Sequence, residues 1–167
     1  MRERMRLAGH RRLLAVWRRL PPWAQRLGIG ALVARTPVGA LAIIRDEGGR
    51  VLFVHQTYRR DVGWGMPGGW VKRGEEPARA AEREAREEVG LVVRAVRVLA
   101  AGRGEFGEVR IAFQCERLDG RLPAASAEVD RAEYFAAGEW PPLPGRLEAF
   151  VREAIEAADG KAESRGP

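Results

Sequence analysis

Cysteine and histidine are scarce in this chain. Its 167 residues include one cysteine, Cys115, and two histidines, His10 and His55. One cysteine excludes an internal disulfide framework and a cysteine-rich zinc site, and suits a reducing cytoplasm. With so few histidines, no Ser-His-Asp arrangement is apparent. Long apolar runs are missing as well. The most apolar stretch, 29–44, is broken by Arg35, Pro37 and two glycines, whereas a spanning helix needs about 20 apolar residues in succession. The basic N-terminus lacks the apolar run and small-residue cleavage site of a secretory leader.

What is present suits a folded domain. Hydrophobic residues make up 46% of the chain and charged residues 31%, enough apolar material for a core. The net charge of +6 is unevenly placed. Residues 1–35 hold nine arginines against Glu3, a balance of +8; the rest carries 20 basic and 22 acidic residues, a balance of −2. The basicity therefore belongs to an N-terminal extension and says little about what the body binds.

The periodicity predicts a basic amphipathic helix over 4–20, with Leu7, Leu13, Leu14, Trp17 and Leu20 at roughly helical spacing, stopped by Pro21-Pro22. A second short helix over 23–34 would complete the extension. From Val38 the pattern turns strand-like: apolar runs at 38–44 and 51–57 flank Asp46-Glu47-Gly48-Gly49 and suggest a hairpin. Residues 63–74 form a glycine-rich loop around a short strand. Residues 75–89 predict a helix, with Pro77 in its first turn and Gly90 as its stop. Strands are expected at 91–101, at 109–116 with Val109, Ile111, Phe113 and Cys115 facing inward, and at 131–136. Loops are expected at 102–108 and 117–128. A C-terminal helix presents Leu147, Phe150, Val151 and Ile155, and residues 159–167 fray. Strands and helices in this order predict an α+β domain over 36–158 with a mixed sheet covered by helices.

The helix carries the chemistry. Glu84, Glu87 and Glu88 sit at i, i+3 and i+4 and share one face. Three like charges near a helix C-terminus repel one another and oppose the helix dipole; a hard divalent cation relieves both and takes oxygen ligands. Arg83, four residues before Glu87, can orient a carboxylate. An exposed acidic helix is the competing explanation. The glycine pair Gly68-Gly69 weighs against it, because backbone there can approach a metal and offer a carbonyl.

The stretch from Gly69 through Glu75, Arg83-Glu84, Glu87-Glu88 and Gly90 to Leu91 resembles the Nudix box at every fixed position. The small Ala85 stands where larger aliphatics are common, and Trp64-Gly-Met-Pro-Gly-Gly before the box is also typical. The resemblance implies the Nudix fold, an α/β/α sandwich with the box as a loop–helix–loop. It implies Mg²⁺- or Mn²⁺-dependent hydrolysis of a pyrophosphate bond in a nucleoside diphosphate linked to another group. It makes Glu84, Glu87 and Glu88 the metal ligands, assisted by the carbonyl of Gly68 or Gly69. Glu75 and Arg83 become the residues that hold the loop against the helix. The general base is left open among the box glutamates, Glu105, Glu108 and Glu128, with Glu128 or a loop glutamate favoured because a carboxylate that holds metal is a poorer base.

Outside the box, Arg59 or Arg60 can clamp a phosphate, Tyr58 can stack on a base and Phe106 is a candidate base contact. His55 reads as a packed or hydrogen-bonded residue and Cys115 as a buried filler. Of Trp64 and Trp70, one can wall the pocket, although packing beneath the loop is the expectation for both. The extension has three readings: packing on the domain or in a homodimer, contact with an anionic membrane surface, or contact with nucleic acid. A silent nucleotide-sensing domain, an RNA-cap hydrolase and an isoprenoid diphosphate enzyme are the alternatives on the same fold.

Overall fold

The structure, a computed structural model, describes residues 20–22, 24, 36–57, 63–105, 107–122 and 128–160. The expectations for the helix at 4–19, for Tyr58, Arg59, Arg60 and Phe106, and for 161–167 lie outside the described residues. The chain divides into two compact units, Met1–Arg35 and Thr36–Pro167, and the second carries the strands and the two long helices. Among the described residues no helix is long and apolar enough to cross a membrane.

The elements run β1 (Val38–Ile44), β2 (Val51–Gln56), β3 (Trp64–Gly65), β4 (Gly68–Trp70), α1 (Pro77–Val89), β5 (Leu91–Arg103), β6 (Val109–Gly120), β7 (Val129–Phe135) and α2 (Gly145–Ala158). A four-stranded mixed sheet has the order β4-β1-β6-β5, with β1 parallel to β6 and its other pairs antiparallel. A three-stranded antiparallel sheet has the order β3-β2-β7.

The expected β1–β2 hairpin does not form. After one bridge, Arg45 to Val51, the two strands enter different sheets. Both are buried along most of their length. Such strands are covered on both faces and sit centrally, with a ladder on each side. β1 finds its ladders in β4 and β6, and β2 in β3 and β7. The turn between them is held locally, by Asp46 accepting the Arg50 N–H at 2.8 Å and its guanidinium at 2.7 Å.

Two cores lie on opposite faces of the sheets. In one, α1 packs Ala80, Ala81, Ala85 and Val89 against β1, β2, β5, β6 and β7. In the other, α2 packs Leu147, Val151, Ala154 and Ile155 against Ile43, Phe53, Ala100 and Ala112. The expected α/β/α sandwich is therefore present. Alanines dominate the buried face of α1, so its backbone lies close to the sheet. That closeness is why the small Ala85, fully buried, suffices at its position. Gly90 ends α1 at φ 64°, the left-handed region where a Cβ is penalised, and donates its N–H to the carbonyls of Ala85 and Arg86.

Strand β6 differs from expectation in extent and in burial. β6 extends to Gly120 and pairs with β5 into its last turn, because cross-strand bonding continues where side-chain pattern no longer signals it. The burial of β6 also departs from the expected alternation along its first half: Ala112 is fully buried and Arg110 partly so, whereas Val109 is exposed. The face expected to meet solvent lies under α2 and around a cavity instead.

Candidate active site

Strand β4 places the glycine pair. Gly68 pairs with Leu41, Gly69 with Ala40 and Trp70 with Gly39. A Cβ on Gly68 would overlap the Ala40 carbonyl, and one on Gly69 would overlap the Glu84 carboxylate. The backbone of the neighbouring strand leaves no room for a side chain at 68, and a side chain at 69 would displace the Glu84 carboxylate.

Arg83 ties loop to helix. Its Nε and Nη2 donate to Glu75 at 2.8 and 3.0 Å, Nη2 also to the Trp70 carbonyl at 3.1 Å, and Nη1 to Glu84 at 2.6 Å and Glu87 at 3.1 Å. Five bonds use the five N–H groups of a guanidinium. Hydrogen bonds from Arg83, helped by the Lys72 N–H at 2.8 Å, hold the Glu75 carboxyl down at about 2. The Arg83 guanidinium is correspondingly held in its charged form.

Glu88 is placed differently. It is 4% exposed and accepts the Gly68 N–H at 2.8 Å. Burial, with the negative charges of Glu84 and Glu128 adding to it, pushes its carboxyl up to about 7 against the bonds from Gly68 and Gln56. Glu84 and Glu88 thus both lie against the glycine pair, Glu84 beside Gly69 and Glu88 on the Gly68 N–H, while Arg83 bonds Glu84 and Glu87. Among the described residues no three metal-ligating side chains are gathered into a ready sphere. The donor set nevertheless fits a hard divalent cation. All its members are oxygens, and the buried Glu88 lies among negative neighbours with a deficit of positive charge that a cation would fill.

Glu128 is exposed at the start of β7, its carbonyl accepting the Thr57 N–H at 3.0 Å, and lies close enough to Glu88 to act on it electrostatically. Glu105 stands exposed at the rim of a cavity of about 430 Å³. Glu108, a base candidate in the expected loop, is enclosed. It is 2% exposed, 2.7 Å from the Arg110 guanidinium, and lines the same cavity. Burial is tolerated because the charge is paired.

His55 is packed as expected, bonded through Nδ1 to Asp130 at 2.7 Å and set edge-on to Trp64. That bond holds the Asp130 carboxyl low. Cys115 is buried, and burial followed by the nearby Glu82 pushes its thiol up to about 12, so it is no nucleophile. Trp64 packs against Phe135 and Arg131, as expected, whereas Trp70 is half exposed and walls the cavity.

Two cavity residues escaped sequence reasoning. Gln56, 4% exposed, bonds Glu88 while its Oε1, also buried, has no partner. Its signal was a polar residue ending an apolar strand. Arg110 read as one of the outward positions of an alternating strand, and nothing in the pattern distinguished it.

Comparison with known proteins agrees with this geometry. The family profile described as NUDIX domain matches residues 35–158. The chain is 42% identical over 131 residues to a CMP-5'-(N-acetyl-N-hydroxy-3-aminopropyl)phosphonate hydrolase from Streptomyces rubellomurinus. The match covers 77% of this chain but only 62% of that relative. An ADP-ribose pyrophosphatase from Streptococcus suis is similar in structure, at 25% identity and a TM-score of 0.61, over 73% of this chain and 91% of the other. A UDP-X diphosphatase is similar in fold at 20% identity and a TM-score of 0.69, over 94% of this chain and 82% of the other.

Proposed function

The chain belongs to the NUDIX domain family, and from that premise we propose that it hydrolyses a pyrophosphate bond in a nucleoside diphosphate linked to another group. The observation that carries the proposal is Glu88, buried beside the glycine pair with Glu84 and Glu128 as negative neighbours. Such a charge arrangement asks for a cation, and it stands next to a cavity large enough for a nucleotide fragment. The hydrolase at 42% identity and the pyrophosphatase at 25% support the same reaction class.

Glu84, Glu87 and Glu88, with the carbonyl of Gly68 or Gly69, would hold Mg²⁺ or Mn²⁺. The cation, when bound, supplies charge neutralisation at phosphate oxygens and acidifies water. The chain's own residues do the positioning. Gly68 and Gly69 let the backbone approach without side-chain obstruction, and Arg83 fixes the loop carrying them. Glu128, exposed yet within electrostatic reach of Glu88, would accept a proton from the attacking water.

The test is product analysis with nucleotide sugars, ADP-ribose and CMP esters, with and without Mg²⁺. Glu84→Gln is expected to lower kcat at least a hundredfold with the fold intact. Glu128→Gln should lower kcat while leaving the Mg²⁺ requirement unchanged. Metal-independent turnover, or full activity in Glu84→Gln, would overturn the assignment.

A further inference from the structure

The strand register places three residues in one row across the four-stranded sheet. Trp70 on β4 pairs with Gly39 on β1, and Gly39 pairs with Arg110 on β6. Directly paired residues project to the same face. Trp70 and Arg110 therefore rise side by side with nothing but backbone between them, and all three line the cavity. Two strand spacings separate their Cα atoms, about 9–10 Å.

We propose that the gap over Gly39 is the seat of the substrate's nucleobase, stacked on the Trp70 indole and covered from the other side by the Arg110 guanidinium. The proposal rests on the nucleotide hydrolase reading and names how that substrate is held. An aromatic ring stacks at about 4.5 Å or more between centroids, and a guanidinium engages a ring within about 6 Å. A separation of this order suits one flat base between the two side chains.

Each wall is prepared for this use. Trp70 is 54% exposed, the most exposed aromatic among the described residues, while its carbonyl is fixed by Arg83. Arg110 is held by the buried Glu108, 2.7 Å from its guanidinium, and a guanidinium so held can stack on a flat ring. The floor is open because residue 39 has no side chain. A Cβ there would meet the Arg110 stem at 3.8 Å and the Gly69 carbonyl at 3.9 Å, ordinary contacts, so the fold does not demand glycine at this position. Gln56, which bonds Glu88, also lines the cavity. A Cβ on Gly39 would lie 3.9 Å from the Gly69 carbonyl, so a base seated there lies beside the backbone of the glycine pair.

The test measures binding of CMP, AMP and ribose 5-phosphate by calorimetry and tryptophan quenching, together with KM and kcat for a hydrolysed nucleotide. The wild type should bind the mononucleotides at least tenfold more tightly than ribose 5-phosphate. Trp70→Ala should weaken mononucleotide binding roughly five- to a hundredfold, with kcat within about threefold, and Trp70→Phe should restore most of the affinity. Gly39→Val should raise mononucleotide Kd tenfold or more in a variant whose fold is verified by its Tm and circular dichroism. Neither variant should affect ribose 5-phosphate. Wild-type mononucleotide affinity in both Trp70→Ala and Gly39→Val, in an enzyme that does hydrolyse nucleotides, overturns the base seat alone. A wild type that neither binds nor hydrolyses any nucleotide overturns the parent reading with it.

Discussion

Arg83 spends its whole donor set on the loop and on two of the three box carboxylates. A lysine offers three donors on a flexible stem and cannot replace the fork. Arg83→Lys is expected to keep the fold and to weaken Mg²⁺ affinity ten- to a hundredfold, the usual scale for residues that orient ligands; titration of Mg²⁺ against activity and against Tm checks it. Glu88 gives a prediction in pH. Its carboxyl titrates near 7 in the native state against 4.5 in the unfolded chain. Between those values the native state binds more protons, so stability falls as pH rises through the window. The loss is complete above about pH 7 and amounts to about 3 kcal/mol in metal-free protein. Glu88→Gln should therefore match wild type near pH 4 and exceed it at pH 8, with chelator present. Urea midpoints at both values decide it, and a constant difference between the two proteins would contradict the buried charge as its origin.

At the scale of the element, α1 matters for how near it lies to the sheet. Its buried face is alanine at 80, 81 and 85, and that closeness lets the Glu84 carboxylate lie against Gly69. Ala85→Leu, toward the larger aliphatics common in the box, is expected to destabilise this chain by about 1–3 kcal/mol, since added methylenes in a filled core force backbone shifts. Activity should fall alongside, because lifting the helix moves Glu84 and Glu88 from the glycine pair. Denaturant midpoints and kcat on the same variant test this; a stable, fully active Ala85→Leu would mean that α1 has room beneath it.

For the whole molecule, the second compact unit, Thr36–Pro167, contains every described site residue. A chain beginning at Thr36 is expected to fold, with Tm within a few degrees of the full chain, and to retain metal-dependent hydrolysis. Circular dichroism, light scattering and turnover on both proteins measure this. Loss of activity on truncation would assign residues 1–35 a part in catalysis. The β1–β2 arrangement shows why such a question needs the tertiary level. A local turn and two apolar runs describe a hairpin well enough, yet the strands part after one bridge because each is buried on both faces and takes neighbours on both sides.

The sequence by itself determined the box, the helix that carries it with Pro77 and Gly90 at its ends, and the type of chemistry, because local spacing decides which side chains share a helical face and which residues cap it. It also determined that Cys115 and His55 belong to the packing, through their places in apolar strands. Only the tertiary structure decided that Glu88 is buried while Glu87 is not, that Glu108 is paired inside a cavity, and that Gln56, Trp70 and Arg110 line that cavity with Gly39. Those facts depend on strand register and on which elements cover which face. Register joins residues 31 and 71 positions apart, Gly39 to Trp70 and Gly39 to Arg110, and no local pattern encodes a pairing between strands so distant in the chain.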